Sequence, residues 1–365
     1  MINPMTTTSS AEKSSAARIA SVGVASPPCC LEQSMADSLF MQHYETKVKP
    51  TGLKIMRQML SHPSIKQRYI SVESPDHLVT LKNEDPDSRV DRFTHWALEL
   101  SASAIQKALR QRNLSVDDVS TLIVNTCTGY ICPGISTYLI EKLGFSSHIK
   151  AYDLVGSGCA GAIPNIQLAE QVLQNNPDEI VVCVSVEICS ATYQMGNDLS
   201  LIVSNAIFGD GAAAVVLWGR PEGVELISTM SYFDPKYRGA IRFSYRHGQL
   251  HNRLSPQLPK IIEEVVPRII TDVLQNNGLT IQDVKYWAIH SGGDKIIQGI
   301  KNKLNLTESQ MEVTRHILAE YGNMSSPTVL FALHRILDGK PDQGAWAFMI
   351  AFGAGLAVHA YLLRI

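Results

Sequence analysis

Three residues in this chain have side chains able to work together as a nucleophilic site. Cys159 sits in Gly158-Cys159-Ala160-Gly161, His290 closes the apolar run Trp287-Ala288-Ile289, and Asn323 follows Gly322 in Gly322-Asn323-Met324-Ser325-Ser326. A thiol can act as a nucleophile, an imidazole can take the thiol's proton, and a carboxamide adds a third polar group able to enter the same cleft. Glycines at 156, 158 and 161 permit a sharp turn and close approach of a substrate. A thiol at a helix amino terminus beside an imidazole is expected to have a lowered pKa. Each residue alone has an ordinary reading, since a buried cysteine usually packs as a small hydrophobe and a strand histidine as a core residue. Their coincidence is what points to a nucleophilic site.

Other pairings carry less. The seven cysteines are an odd number without CxxC spacing, which argues against a disulfide framework or a zinc site and fits reduced thiols in a cytoplasm. His247 and His251 are four apart in HGQLH but have no acidic or further histidine neighbours, so no metal site is expected.

These groups must be positioned by something, and the chain reads as strands alternating with helices. Expected strands are 19–25, 121–126, 180–186, 213–218, 224–231, 286–290, 345–351 and 356–362. Expected helices are 92–111, 160–174, 260–276, 295–303 and 326–337. Such alternation implies an α/β protein with buried sheets. The chain also repeats itself. Leu114-Ser115-Val116-Asp117-Asp118-Val119 returns as Leu279-Thr280-Ile281-Gln282-Asp283-Val284, 165 residues on, and Asn176-Pro177-Asp178 returns as Lys340-Pro341-Asp342 after 164. Phe208–Gly211 (FGDG) mirrors Phe352–Gly355 (FGAG) at 144, so the first half carries about twenty extra residues near Cys189–Asn205. Two related halves, 18–220 and 221–365, are expected after a flexible tail, 1–17. The same offsets set Cys159 opposite Asn323 at equivalent helix starts, and His290 opposite Asn125 at equivalent strand ends. All three reactive groups then face one cleft.

Composition narrows the classes. Apolar residues make up 45% and charged residues 18%, with a net charge of −2, which suits a compact core and gives no footprint for nucleic acid or an anionic membrane. The polar amino terminus lacks a signal-peptide core. Ala345–Leu363 is nearly free of charge and long enough to span a bilayer, but Phe352-Gly353-Ala354-Gly355 divides it into two expected strands.

At these residues the sequence resembles the thiolase superfamily, specifically type III polyketide synthases of the chalcone-synthase kind. The blocks GSGCAG, WAIHSGG, GNMSSPTVLF, NAIFGDGAAA and the terminal FGAG run in that family's order from about residue 17 to the end. DLVGSGC and SVEICSATY are more similar to bacterial members, including the 3,5-dihydroxyphenylacetyl-CoA synthase type, than to plant chalcone synthases. The resemblance implies a homodimer with a duplicated αβαβα thiolase-like fold of mixed five-stranded sheets. It implies decarboxylative, iterative condensation of malonyl-CoA onto an acyl-CoA starter held on Cys159, with His290 and Asn323 stabilising the enolate. A pyrone, resorcinol or related product would follow, with CoA thioesters as substrates and no further cofactor. The amides of Cys159 and Ala354 are implied oxyanion donors, and Lys54 and Arg57 implied contacts to CoA phosphates. The third basic position falls at Ser61 or His62. Phe208 resembles a gatekeeper, and the second gatekeeper position falls at Asn252, which makes the entrance more polar. Cys127, Thr128, Cys132, Cys189, Thr192 and Ser325 are the implied pocket residues, a sulfur-rich set unlike the plant pattern.

Three rival readings stay open at this point. A β-ketoacyl-ACP synthase III would share the trio but stop after one condensation. A cysteine hydrolase would share the order Cys, His, Asn, although the CGSCW segment of papain-like enzymes is absent. A non-catalytic binding protein would leave Cys159 no more reactive than Cys183.

Overall fold

The computed structural model describes residues 17–365. The expected tail therefore lies outside the described residues, apart from Ala17, which is buried. The apolar runs form one nine-stranded sheet. Across it the strands run Val284–Ile289, Trp346–Gly353, Ala357–Arg364, Val224–Phe233, Arg18–Ala25, Gly211–Trp218, Ile180–Glu187, Thr121–Asn125 and Lys150–Leu154. Ile180–Glu187 and Gly211–Trp218 are buried at every position, because helices cover both faces and leave no face to be polar.

The duplication is visible in this order. Arg18–Ala25, Thr121–Asn125, Ile180–Glu187 and Gly211–Trp218 correspond to Val224–Phe233, Val284–Ile289, Trp346–Gly353 and Ala357–Arg364, and each set pairs internally in the same sequence. The sets join where Arg18 and Ile19 pair with Glu225 and Val224. The first half has a fifth strand, Lys150–Leu154, parallel to Thr121–Asn125. In the second half the segment 165 residues on is helical, Glu308–Tyr321, so that half contributes four strands where five were expected. Twenty-three residues, 188–210, separate Ile180–Glu187 from Gly211–Trp218, against three, 354–356, in the second half. The expected insertion is there, and it contains the helix Leu199–Ile207.

Layering follows from where apolar faces are buried. The helices Ala162–Asn175 and Thr328–Asp338 pack in the central layer through Ile163, Ile166 and Leu173 and through Val329, Leu330 and Leu333. Pro86–Arg110 covers the outer face of the first half and Leu258–Asn276 that of the second. This is the αβαβα layering. The apolar carboxyl-terminal run is a hairpin, its strands closing at Gly353 opposite Ala357. Among the described residues, no helix is long and apolar enough to cross a membrane.

Candidate active site

Three junctions of this frame carry the three reactive side chains. His290 follows Val284–Ile289, and its amide donates to the Ile350 carbonyl at 2.9 Å, which fixes it to the neighbouring strand. Cys159 lies in a single 3-10 turn, Gly158–Ala160, before the helix Ala162–Asn175. Asn323 lies in the link from Glu308–Tyr321 to Thr328–Asp338, with its backbone bridged to the 207–209 segment. Its N–H donates to the Ile207 carbonyl at 2.9 Å and its own carbonyl accepts from Gly209 N–H at 3.0 Å. All three line one cavity that opens to solvent.

Burial sets the resting protonation. It pushes the Cys159 thiol up to about 12, the Ser325 hydroxyl pulling the other way and the charge of Glu187 adding to the rise. It pushes the His290 imidazole down to about 3. The lowered thiol pKa expected for a helix start is therefore not found, because desolvation outweighs the dipole of a helix that begins beyond the 3-10 turn. Burial thus favours the uncharged form of each group. The Sγ of Cys159 meets the Ser325 hydroxyl at 3.1 Å. His290 lies edge-on to Phe352, ring centres 5.0 Å apart, with Nδ1 buried and unpartnered among the described residues. Asn323 accepts through Oδ1 from Ser325 N–H at 2.8 Å, which turns Nδ2 outward, where it makes only a 3.5 Å contact to the Gly292 carbonyl.

The carboxyl-terminal hairpin also reaches this cavity. Gly353 brings the carboxyl-terminal hairpin against the cysteine turn. A Cβ there would strike the Ser157 carbonyl and come within 2.7 and 2.9 Å of the Ala160 and Cys159 nitrogens. The next residue, Ala354, lines the cavity, and among the described residues its N–H has no backbone acceptor.

Of the remaining expected site residues, Cys127, Thr128, Cys189, Thr192, Ser325, Phe208 and Asn252 all line this cavity. Asn252 is held by a 2.9 Å bond to Ser204 and Phe208 is buried. Cys132, expected in the pocket, is instead exposed and does not line this cavity. Lys54 and Arg57 lie exposed on the helix Pro50–Leu60, away from the cavity lining. His251 is paired with Asp198 at 3.1 Å, so the two histidines of HGQLH do not act together.

Sequence reasoning missed Glu187. This fully buried carboxylate accepts from the amides of Cys127 and Thr128 at 2.9 and 3.1 Å and from the hydroxyls of Thr128 and Ser326 at 2.9 and 2.6 Å. Burial raises it above the usual carboxylate range even so. It ties both halves together under the cavity floor. The one available signal was a charge closing the apolar run IVVCVSVE. Ser325, at φ 60°, holds a left-handed conformation that costs a non-glycine residue about 1 kcal/mol or more; its hydroxyl contacts Cys159, Cys127 (3.4 Å) and Glu187 (3.5 Å).

The sequence matches the family described as "FAE1/Type III polyketide synthase-like protein" over residues 28–229, and "Chalcone and stilbene synthases, C-terminal domain" over residues 225–365. This chain belongs to the FAE1/type III polyketide synthase-like family. The two matches overlap at residues 225–229. Among similar proteins is a 3,5-dihydroxyphenylacetyl-CoA synthase from Streptomyces toyocaensis, 28% identical over 320 residues, which cover 85% of this chain and 82% of that protein. The fold is shared with PKS-I from the brown alga Ectocarpus siliculosus: the TM-score is 0.89 at 24% identity, over 97% of this chain and 100% of that one. It is shared too with 1,3,6,8-tetrahydroxynaphthalene synthase from Streptomyces coelicolor A3(2), a bacterial type III polyketide synthase, with a TM-score of 0.87 at 25% identity over 95% and 99%. This type III polyketide synthase is an acyltransferase that forms carbon–carbon bonds by decarboxylative condensation of CoA thioesters.

Proposed function

We propose that Cys159, His290 and Asn323 carry out the condensation, with the chain growing on the cysteine. His290 takes the Cys159 proton as the sulfur attacks an acyl-CoA carbonyl, then returns it to the departing CoA thiolate. The amide N–H groups of Cys159 and Ala354 hold the oxyanion in between. Malonyl-CoA enters next, its thioester oxygen facing the His290 and Asn323 donors. Its carbon–carbon bond breaks, carbon dioxide leaves, and the electron pair becomes an enolate stabilised by those N–H groups. The enolate carbon attacks the Cys159 thioester, the new bond forms and the sulfur departs. The extended chain returns to Cys159 for another round, and a pyrone, resorcinol or related product closes from it.

The observation that carries this reading is that a nucleophile from one half and an imidazole and a carboxamide from the other line one cavity, the carboxamide Nδ2 making only a 3.5 Å contact to a backbone carbonyl. Phe208 and Asn252 form the entrance, and Lys54 and Arg57 hold CoA phosphates outside it. The cysteines and Asn252 in the lining favour a starter other than the plant aromatic type.

The working form is a cytoplasmic homodimer of chains built from halves 18–220 and 221–365, with CoA thioesters as substrates and no other cofactor. The exposed edge strand Lys150–Leu154, flanked by exposed Tyr130 and Val155, supports a dimer. Exposed Cys132 beside it is available only to a partner's pocket.

Cys159→Ala is expected to abolish condensation with every acyl-CoA starter while malonyl-CoA decarboxylation continues, read by mass analysis of products and carbon dioxide release. Polyketide formed by the variant would overturn the reading. A single β-ketoacyl product from the intact enzyme would favour one-round condensation instead.

A further inference from the structure

Arg68, in the short strand Gln67–Ile70, is 0% exposed, yet among the described residues no carboxylate lies within ion-pair distance of it. A buried cation without a counter-ion is costly and calls for a compensating field. Arg68 finds one at the end of the helix Leu199–Ile207, where the last carbonyls have no partner inside the helix and the dipole is negative. Its Nη1 donates to the carbonyls of Asn205 at 2.9 Å and Phe208 at 2.7 Å and to the Tyr193 hydroxyl at 3.0 Å. Its Nε donates to Gln33 Oε1 at 3.0 Å, and Gln33 in turn donates to the Ala206 carbonyl at 3.0 Å. Tyr193 donates to the Phe208 carbonyl at 3.2 Å. The carboxylate of nearby Asp210 is occupied by Ser71 and Ser190.

This clamped segment is the one to which Asn323 is bridged on both sides. Gly322, at φ 66°, lets the chain pass so close that a Cβ would come within 2.8 Å of the Arg68 Cγ and 2.6 Å of the Ile207 carbonyl. Arg68 therefore sits behind both the gatekeeper Phe208 and the backbone of Asn323, touching no part of the cavity.

We propose that Arg68 is a positioning residue for Asn323, and that it acts on the enolate-forming half of the reaction and not on the thiol. The Cys159 backbone is held by a separate frame, the turn between Ser157 and Ala160 and the hairpin at Gly353, and its sulfur meets the Asn323 loop only through the Ser325 hydroxyl at 3.1 Å. The proposal rests on the reading of Asn323 as an enolate stabiliser.

The test separates the two half-reactions. Arg68→Met lowers kcat for malonyl-CoA decarboxylation roughly a hundredfold, the loss expected for a displacement near 1 Å, while KM for malonyl-CoA and the rate of Cys159 alkylation by iodoacetamide stay near wild type. Arg68→Lys recovers part of the loss. Should Arg68→Met fail to fold, Tyr193→Phe removes one donor to the Phe208 carbonyl with Arg68 in place, and a several-fold loss with the same selectivity is expected. Combined with Asn323→Ala, the Arg68 substitution adds little further loss. Unchanged decarboxylation in the folded variants, or equal falls in decarboxylation and alkylation, would overturn the proposal. Asn323→Ala in parallel tells two failures apart: wild-type decarboxylation there sinks the reading of Asn323, whereas a loss there with none in the Arg68 variants sinks only the role of Arg68.

Discussion

Asn125 and His290 occupy the same place in the two halves, the carboxyl end of the strand beside the switch in sheet order, and they are treated in opposite ways. The Asn125 carboxamide is fully used. Its Oδ1 accepts from Asn165 at 2.7 Å and Ser185 at 2.6 Å, and its Nδ2 donates to Ser326 at 2.9 Å. The His290 ring has an aromatic edge contact and an orphaned Nδ1. Buried polar groups are normally satisfied; Asn125 follows that rule away from the cavity, whereas the His290 ring lines it. The frame is duplicated, but only one copy of this position is left open for chemistry. At the helix starts the division differs: Cys159 and Asn323 both face the cavity.

The contrast predicts its own tests. His290→Ala should lower malonyl-CoA decarboxylation by about 10²–10³, the cost of losing one preorganised donor, with the folded stability little changed. Asn125→Ala should do the reverse. Specific activity per folded molecule should stay within a few-fold, while the orphaned partners cost about 1–3 kcal/mol of stability in denaturant unfolding. A large activity loss in folded Asn125→Ala would erase the distinction.

The thiol provides a sharper, smaller test. With the Cys159 pKa raised to about 12, the thiolate fraction grows with pH across the whole working range. Iodoacetamide labelling of Cys159 should therefore rise about tenfold per pH unit from pH 7 to 10 without levelling off. A plateau near pH 7 would mean a preformed ion pair with His290. Cys183 is buried at the sheet and its thiol pKa is raised by the same desolvation, so it should label more slowly at every pH. Smallest of all, Glu187→Gln removes a nearby negative charge that raises the Cys159 pKa, and labelling at pH 9 should speed up several-fold. No change would place the carboxylate in its neutral form at that pH.

Much of this site could be read from residues before any coordinates. The offsets of 165 and 164 set Cys159 against Asn323 and His290 against Asn125, because duplicated elements keep their junctions even where side chains diverge. What sequence could not give was burial. The thiol was expected to be acidic from its place before a helix, and desolvation reversed that. Glu187 closes the apolar run IVVCVSVE and Arg68 lies in the mixed segment QRYI, and nothing local says that either lies in the interior with six or four oxygen or nitrogen partners around it. The helices Gln33–Tyr44 and Leu199–Ile207 were missed for a related reason: they belong to the insertion and the amino-terminal cap, which the repeat does not cover.

The account turns on Cys159 as the covalent carrier. Protein mixed with an acyl-CoA starter, quenched within one turnover, digested and analysed by mass should show the acyl mass on the peptide containing Cys159, and on adding malonyl-CoA the same peptide should gain the mass of extended chains. An acyl group found instead on Cys127 or Cys189, or on no cysteine while product accumulates, would contradict it.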